Sequence, residues 1–158
     1  MMVKQTGYRS PLGDWTLISD GTFLTELRIE PTAPKWNLPV FKQTEDWLDR
    51  YFAGEQPDPK ELPLKPDGTP FQQLVWQLLL EIPYGETTTY GALATQVANR
   101  LQKEKMSAQA IGQAVGRNPI PVIIPCHRVL AANHIGGYAL GLGMKKALLK
   151  KEKSLKMG

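Results

Sequence analysis

The chain carries one cysteine and two histidines among 158 residues, and that scarcity excludes several chemistries at once. A lone thiol rules out an internal disulfide and suits a reducing compartment. Cys126, His127 and His134 are the only soft metal ligands, and two of them are adjacent. A tetrahedral zinc cage would need carboxylates in awkward geometry, so no metal is expected. No glycine loop suited to cradling phosphate is present. No apolar run approaches membrane-spanning length, and Met1 to Ser10 lacks an apolar signal core. A cytoplasmic protein with no membrane partner is expected. Internal repeats and low-complexity segments are lacking too.

What is present describes a globular protein. Apolar residues make up 42% and charged residues 22%, and the length suits one ordinary domain or two small ones. The formal charge is +4 and the pI about 9.2, which makes a nucleic-acid footprint a fair hypothesis, although many basic domains bind no DNA.

Strand formers cluster in Gln5 to Arg9, Trp15 to Ser19 and Thr22 to Ile29. They are separated by Pro11-Leu12-Gly13-Asp14 and by Asp20-Gly21, a hairpin signal. Val40, Phe41, Thr44, Trp47, Leu48, Tyr51 and Phe52 then recur at helical spacing, with Gly54 as the stop. Five prolines between Glu55 and Pro70 predict extended, poorly hydrogen-bonded backbone at a boundary. Thr69-Pro70 starts a helix whose buried stripe is Phe71, Leu74, Val75, Leu78, Leu79 and Ile82. Threonines 87 to 89 offer caps for a helix from Tyr90 to about Leu101. Ser107 caps another, with Ala110, Ile111, Ala114 and Val115 inside. Two short helices joined by a turn resemble a helix-turn-helix. A last helix from about Leu142 to Lys153 is expected to bury Ala147, Leu148 and Leu155. Its outer side would carry Lys145, Lys146, Lys150, Lys151 and Lys153.

The stretch Pro121 to Leu130 holds the chemistry. Its apolar run, stopped by Pro125, reads as a buried strand or extended segment delivering Cys126 and His127. A histidine acting as base raises the thiolate fraction of a cysteine, and Arg128 adds positive field. Adjacency alone favours plain burial, since free cysteine is among the most buried residue types and catalytic partners meet in space rather than in sequence.

Pro125-Cys126-His127-Arg128-Val129, preceded by Gly116-Arg117-Asn118-Pro119, resembles the active-site signature of the O6-alkylguanine-DNA alkyltransferases, also called methylated-DNA-protein-cysteine methyltransferases. The likeness runs from Phe71 to Glu152 and includes Tyr84-Gly85-Glu86, Tyr90, Tyr138 and Gly141. The resemblance implies an α+β fold. Residues 1–65 would form a small antiparallel sheet with a helix, ribonuclease H-like, ending in the proline-rich connector. Residues 66–158 would form a mostly helical domain with a winged helix-turn-helix.

It implies stoichiometric repair, in which Cys126 takes the alkyl group from O6 of a flipped-out guanine without a cofactor. O4-methylthymine would be a second substrate class. The implied catalytic set is Cys126 as acceptor, His127 as base through a water, Glu152 as its orienter, Asn118 fixing the turn, and Tyr90 rotating the nucleotide and protonating the leaving guanine. The implied substrate and DNA set is Gln109, Val115, Pro121, Arg128, Val129, Tyr138 and Ala139. The partner would be double-stranded DNA containing O6-alkylguanine, bound by a monomer.

Departures from the family pattern are Gln109 where an arginine finger is common, a longer loop from Asn99 to Met106, and Ala139-Leu140 where serine and glycine are frequent. Three other classes compete: a non-catalytic lesion-binding relative, a winged-helix regulator and a cysteine hydrolase.

Overall fold

A two-residue turn at Pro11-Leu12, closed by Gly13 at φ +125°, starts the sheet. It joins β1 (Lys4–Ser10) to β2 (Gly13–Ser19), which pair antiparallel from Lys4 opposite Ser19 to Ser10 opposite Gly13. β3 (Leu24–Arg28) follows, giving the order β1-β2-β3. The Asp20-Gly21 turn is longer than its sequence implies. Asp20 Oδ1 accepts from the amides of Thr22 and Phe23, both at 2.9 Å, so β3 starts only at Leu24. The computed structural model describes residues 4–31, 35–138 and 140–152, and the chain divides into two compact units, residues 1–67 and 68–158.

In the first unit the central strand buries Trp15, Leu17 and Ile18. α1 (Pro39–Phe52) lays Val40, Phe41, Thr44, Trp47, Leu48 and Tyr51 on the sheet, the stripe its spacing predicts. Gly54, at φ +95°, follows its end. The proline-rich segment differs from expectation. Leu24 donates to the Pro63 carbonyl at 2.8 Å, and Lys65 donates to the Leu24 carbonyl at 2.9 Å. Proline removes donors only at its own position, so the residues between prolines still pair, and the segment is tied to β3.

In the second unit α2 (Pro70–Leu79) begins at a reciprocal capping box, with Gln72 N donating to Thr69 Oγ1 at 3.1 Å and Thr69 N donating to Gln72 Oε1 at 2.9 Å. Its buried residues are Val75, Trp76, Leu78 and Leu79. Phe71, Leu74 and Ile82 are only half-buried, and Trp76, absent from the expected stripe, takes the inner position. β4 (Thr88–Thr89) leads into α3 (Tyr90–Arg100), capped by Thr89, whose Oγ1 accepts from Ala92 N at 3.0 Å. α4 (Ala108–Gly116) is capped by Ser107. β5 (Val129–Leu130) pairs parallel with β4, and α5 (Leu142–Lys151) closes the unit.

Gly68 is held to glycine by packing. A Cβ there would lie 2.4 Å from Trp76 Cη2, and the Trp76 indole is itself fixed by Nε1 donating to the Ala114 carbonyl at 2.9 Å. Gly68→Ala should therefore destabilise the second unit by about 1–3 kcal/mol, as overpacked sites do, measured as a lower urea midpoint.

Candidate active site

The segment before Cys126 is buried as expected, but it is a closed loop rather than a strand. Asn118 organises it. Its Nδ2 donates to the Ile124 carbonyl at 2.8 Å, and its Oδ1 accepts from Ile120 N at 2.9 Å. Ile124 N donates back to the Ile120 carbonyl at 3.0 Å, and Val122 sits at φ +74°. Pro121 and Pro125 bring no amide donors, so the run cannot join a sheet ladder in full. The loop closes on itself and leads into a 3-10 turn, Cys126–Arg128. β5 starts at the next residue and pairs with β4, which ends just before Tyr90.

Behind the thiol lies a buried ionic cluster. His127 Nε2 lies 2.7 Å from Glu152 Oε2. Arg128 Nε donates to Glu152 Oε1 at 2.7 Å, Nη2 donates to Oε2 at 3.1 Å, and Nη1 donates to the Ile82 carbonyl at 2.6 Å. His127 is fully buried and Glu152 nearly so. Burial alone would raise the Glu152 carboxyl, but the hydrogen bonds and charges of His127 and Arg128 outweigh it and hold the group down to about 2. Burial pushes His127 down despite Glu152, so the ring is neutral at rest. A carboxylate only accepts. Nε2 therefore carries the ring proton, and Nδ1, buried with no hydrogen-bond partner among the described residues, keeps its lone pair.

Cys126 is 6% exposed. Burial pushes its thiol up, against hydrogen bonds from Asn118 and Tyr138 and the charge of Lys145. The resting group is a thiol that needs a base. Burial, and then the Cys126 charge, raise the Tyr90 phenol, which stays protonated; its OH points to the Gly137 carbonyl at 3.5 Å.

The thiol opens on a cavity of about 270 Å³, near the lower end of small-molecule pockets. Tyr90, Val115, Asn118, Pro121 and Tyr138 line it with Cys126, as do Gly112 and Leu140. The other sequence-predicted residues lie elsewhere. Gln109 is exposed in the first turn of α4. Val129 is buried in β5, its carbonyl taken by Lys145 Nζ at 2.7 Å. Ala139 lies outside the described residues. Arg128, expected as a substrate and DNA residue, is 7% exposed and spent on Glu152 and Ile82.

Lys145 corrects the reading of α5. It is fully buried rather than outward-facing, with Nζ donating to the carbonyls of Val129 and Gly137 at 2.7 and 2.9 Å. A signal was available, because Lys145, Leu148, Leu149 and Glu152 share one face at i, i+3, i+4 and i+7, and all four are buried. Ala147 is half-buried, and Leu155 and Lys153 lie outside the described residues.

The cluster makes stability depend on acid. His127 is lowered on folding, so the unfolded chain binds its proton first and stability falls as pH drops below the ordinary histidine value of 6.5. Glu152, lowered from 4.5 to about 2, stabilises above pH 4.5 and loses that contribution as pH falls toward 2. The urea midpoint should decline in two stages on acidification, and His127→Gln should flatten the upper stage and, by removing one of the groups that lower Glu152, weaken the lower one.

Comparison with known proteins gives this geometry a lineage. Residues 3–66 match the family model for the 6-O-methylguanine DNA methyltransferase ribonuclease-like domain, and residues 70–154 match that for the DNA binding domain of the same proteins. A methylated-DNA–protein-cysteine methyltransferase of Haemophilus influenzae is 43% identical over 94% of this chain and 85% of its own length. The Mycobacterium tuberculosis protein of that name is 44% identical over 97% of this chain and 94% of its own length. A crystal structure of the M. tuberculosis O6-methylguanine methyltransferase superposes with a TM-score of 0.80 at 40% identity, covering 99% of this chain and 96% of that one. An M. tuberculosis OGT in complex with DNA also superposes at 0.80, with 41% identity and coverage of 95% and 92%. Matched along both units at such identity, the chain belongs to the 6-O-methylguanine DNA methyltransferase family.

Proposed function

We propose that the protein repairs DNA by moving the alkyl group of O6-alkylguanine, methyl above all, onto Cys126, once per molecule. The observation that carries this reading is a buried thiol at the floor of a cavity, backed by a neutral histidine with a free buried lone pair. His127 Nδ1 takes the thiol proton through a water, for which a buried polar orphan is a fitting site. The Sγ lone pair forms the bond to the alkyl carbon while the carbon–O6 bond breaks. The Tyr90 phenol, protonated at rest, supplies a proton to the departing guanine. Glu152 holds the imidazole and stabilises it when charged, the logic of other nucleophile, base and orienter chains.

The target base lies within a duplex, so it must leave the stack to enter the cavity. α3 and α4 form the two-helix element placed to hold double-stranded DNA, and the relative solved with DNA supports that role. Gln109, exposed at the start of α4, is proposed to fill the gap left by the flipped base by hydrogen bonding rather than by charge. The reading includes a monomeric, cytoplasmic protein whose DNA binding weakens steeply with salt.

Purified protein mixed with duplex DNA containing O6-methylguanine should gain the mass of one methyl, mapped to Cys126 and abolished by Cys126→Ser. Unmodified protein that still binds the duplex would overturn the reading in favour of a lesion-binding role. Gln109→Ala should slow transfer from duplex DNA by about tenfold, the scale of one lost hydrogen bond, and slow transfer from single-stranded DNA less. Equal rates for wild type and variant on duplex would remove Gln109 from the mechanism.

A further inference from the structure

The Arg128 guanidinium is buried, bound through two nitrogens to the carboxylate that holds the base, and through a third to the Ile82 carbonyl. Its carbon lies 5.8 Å from the centre of the Tyr84 ring, and the Tyr84 hydroxyl reaches the Lys151 carbonyl at 3.4 Å. A surface or DNA-facing role is closed to a side chain so placed. We infer that Arg128 is a positioning residue for alkyl transfer, which acts through Glu152 to keep His127 unprotonated and ready to accept the thiol proton. This inference rests on the reading of Cys126 as the alkyl acceptor.

Glu152 is shared by His127 and Arg128. If it answered to His127 alone, in a site this dry, it would draw a proton onto the imidazole and spoil the base before substrate arrived. A guanidinium is permanently charged and its fork matches a carboxylate, so Arg128 satisfies both oxygens and leaves Glu152 enough attraction to orient the ring. Removing the cation raises the proton affinity of the His127–Glu152 pair, wherever in the pair the proton sits. Among the described residues, the other charged groups acting on His127 are Lys145 and Glu152, on α5 and its cap, and Tyr84 faces Arg128 and Glu152 from the 82–85 turn. Burial is the main cause of the lowered His127, and the Arg128 and Lys145 charges act in the same direction.

The test is the pH profile of single-turnover methyl transfer from O6-methylguanine duplex, followed by intact mass, together with a nitrogen NMR titration of the His127 ring in unreacted protein. Arg128→Gln keeps a donor beside Glu152 but removes the charge. It should move the acid limb and the ring titration upward by about one pH unit, tenfold in rate on the limb. Arg128→Lys keeps the charge without the fork and should move both by less, in the same direction. If Arg128→Gln does not fold, Arg128→Lys carries the test alone. A folded variant with lower amplitude but an unmoved limb and titration would overturn the inference, because a merely structural arginine leaves proton affinity untouched. Wild-type protein that gains no methyl would overturn the alkyl-acceptor reading instead, and the ring titrations would still judge Arg128.

Discussion

A single buried carboxylate sets the terms for the second unit. Taking an ionised Glu152 out of water costs several kcal/mol unless its oxygens are met by well-placed donors, and the structure meets them with an imidazole and a forked guanidinium. Three pieces of chain must converge for that to happen: the end of α5, the Cys126–Arg128 turn, and the turn around Ile82 whose carbonyl takes the remaining arginine nitrogen. The electrical consequence is a polarised site. Charge is concentrated behind the histidine, while the thiol and the phenol that face the cavity rest neutral. Groups neutral at rest are cheap to keep in an apolar pocket, and they become charged only as protons move.

Much of this was legible where residue type and period speak together. The α1 stripe, the caps at Thr69, Thr89 and Ser107, and the two-helix element follow from local chemistry that tertiary packing did not override. Cys126 was singled out through the resemblance of the 116–129 stretch to a family signature, since its adjacency to His127 alone favoured plain burial. Three features escaped. The loop before Cys126 looked like a strand or extended segment because apolar composition reports burial and not path, and Asn118 bends the path. Lys145 looked solvated because its neighbours are lysines, although its periodic partners Leu148, Leu149 and Glu152 are all buried. Arg128 looked like a DNA contact because positive charge was read without asking which anion was already inside.

Lys145 and Gly136 show how closely the loop that carries Tyr138 is held. Lys145 ties the Gly137 carbonyl to that of Val129. A Cβ on Gly136, at φ +81°, would come within 3.3 Å of both Lys145 Nζ and a Tyr90 ring carbon. At that positive φ any side chain is strained, and contacts this tight would require its neighbours to shift. The wall of the cavity opposite the Cys126 loop is therefore defined by main chain as much as by side chains. Leu140, which also lines it, is the larger and more adjustable element there.

The short parallel ladder between Thr88–Thr89 and Val129–Leu130 has a mechanical meaning. Cys126 stands three residues before its first rung on one side, and Tyr90 follows directly after its last rung on the other. The groups that begin and end the proposed reaction are thus mounted on one rail. That rail fixes where the turn carrying the thiol meets the start of α3, so main-chain pairing helps to set the spacing of thiol and phenol. A site used once has no second turnover in which to correct a misaligned encounter, and a shared mount lets its two working groups keep their separation while the surrounding fold flexes.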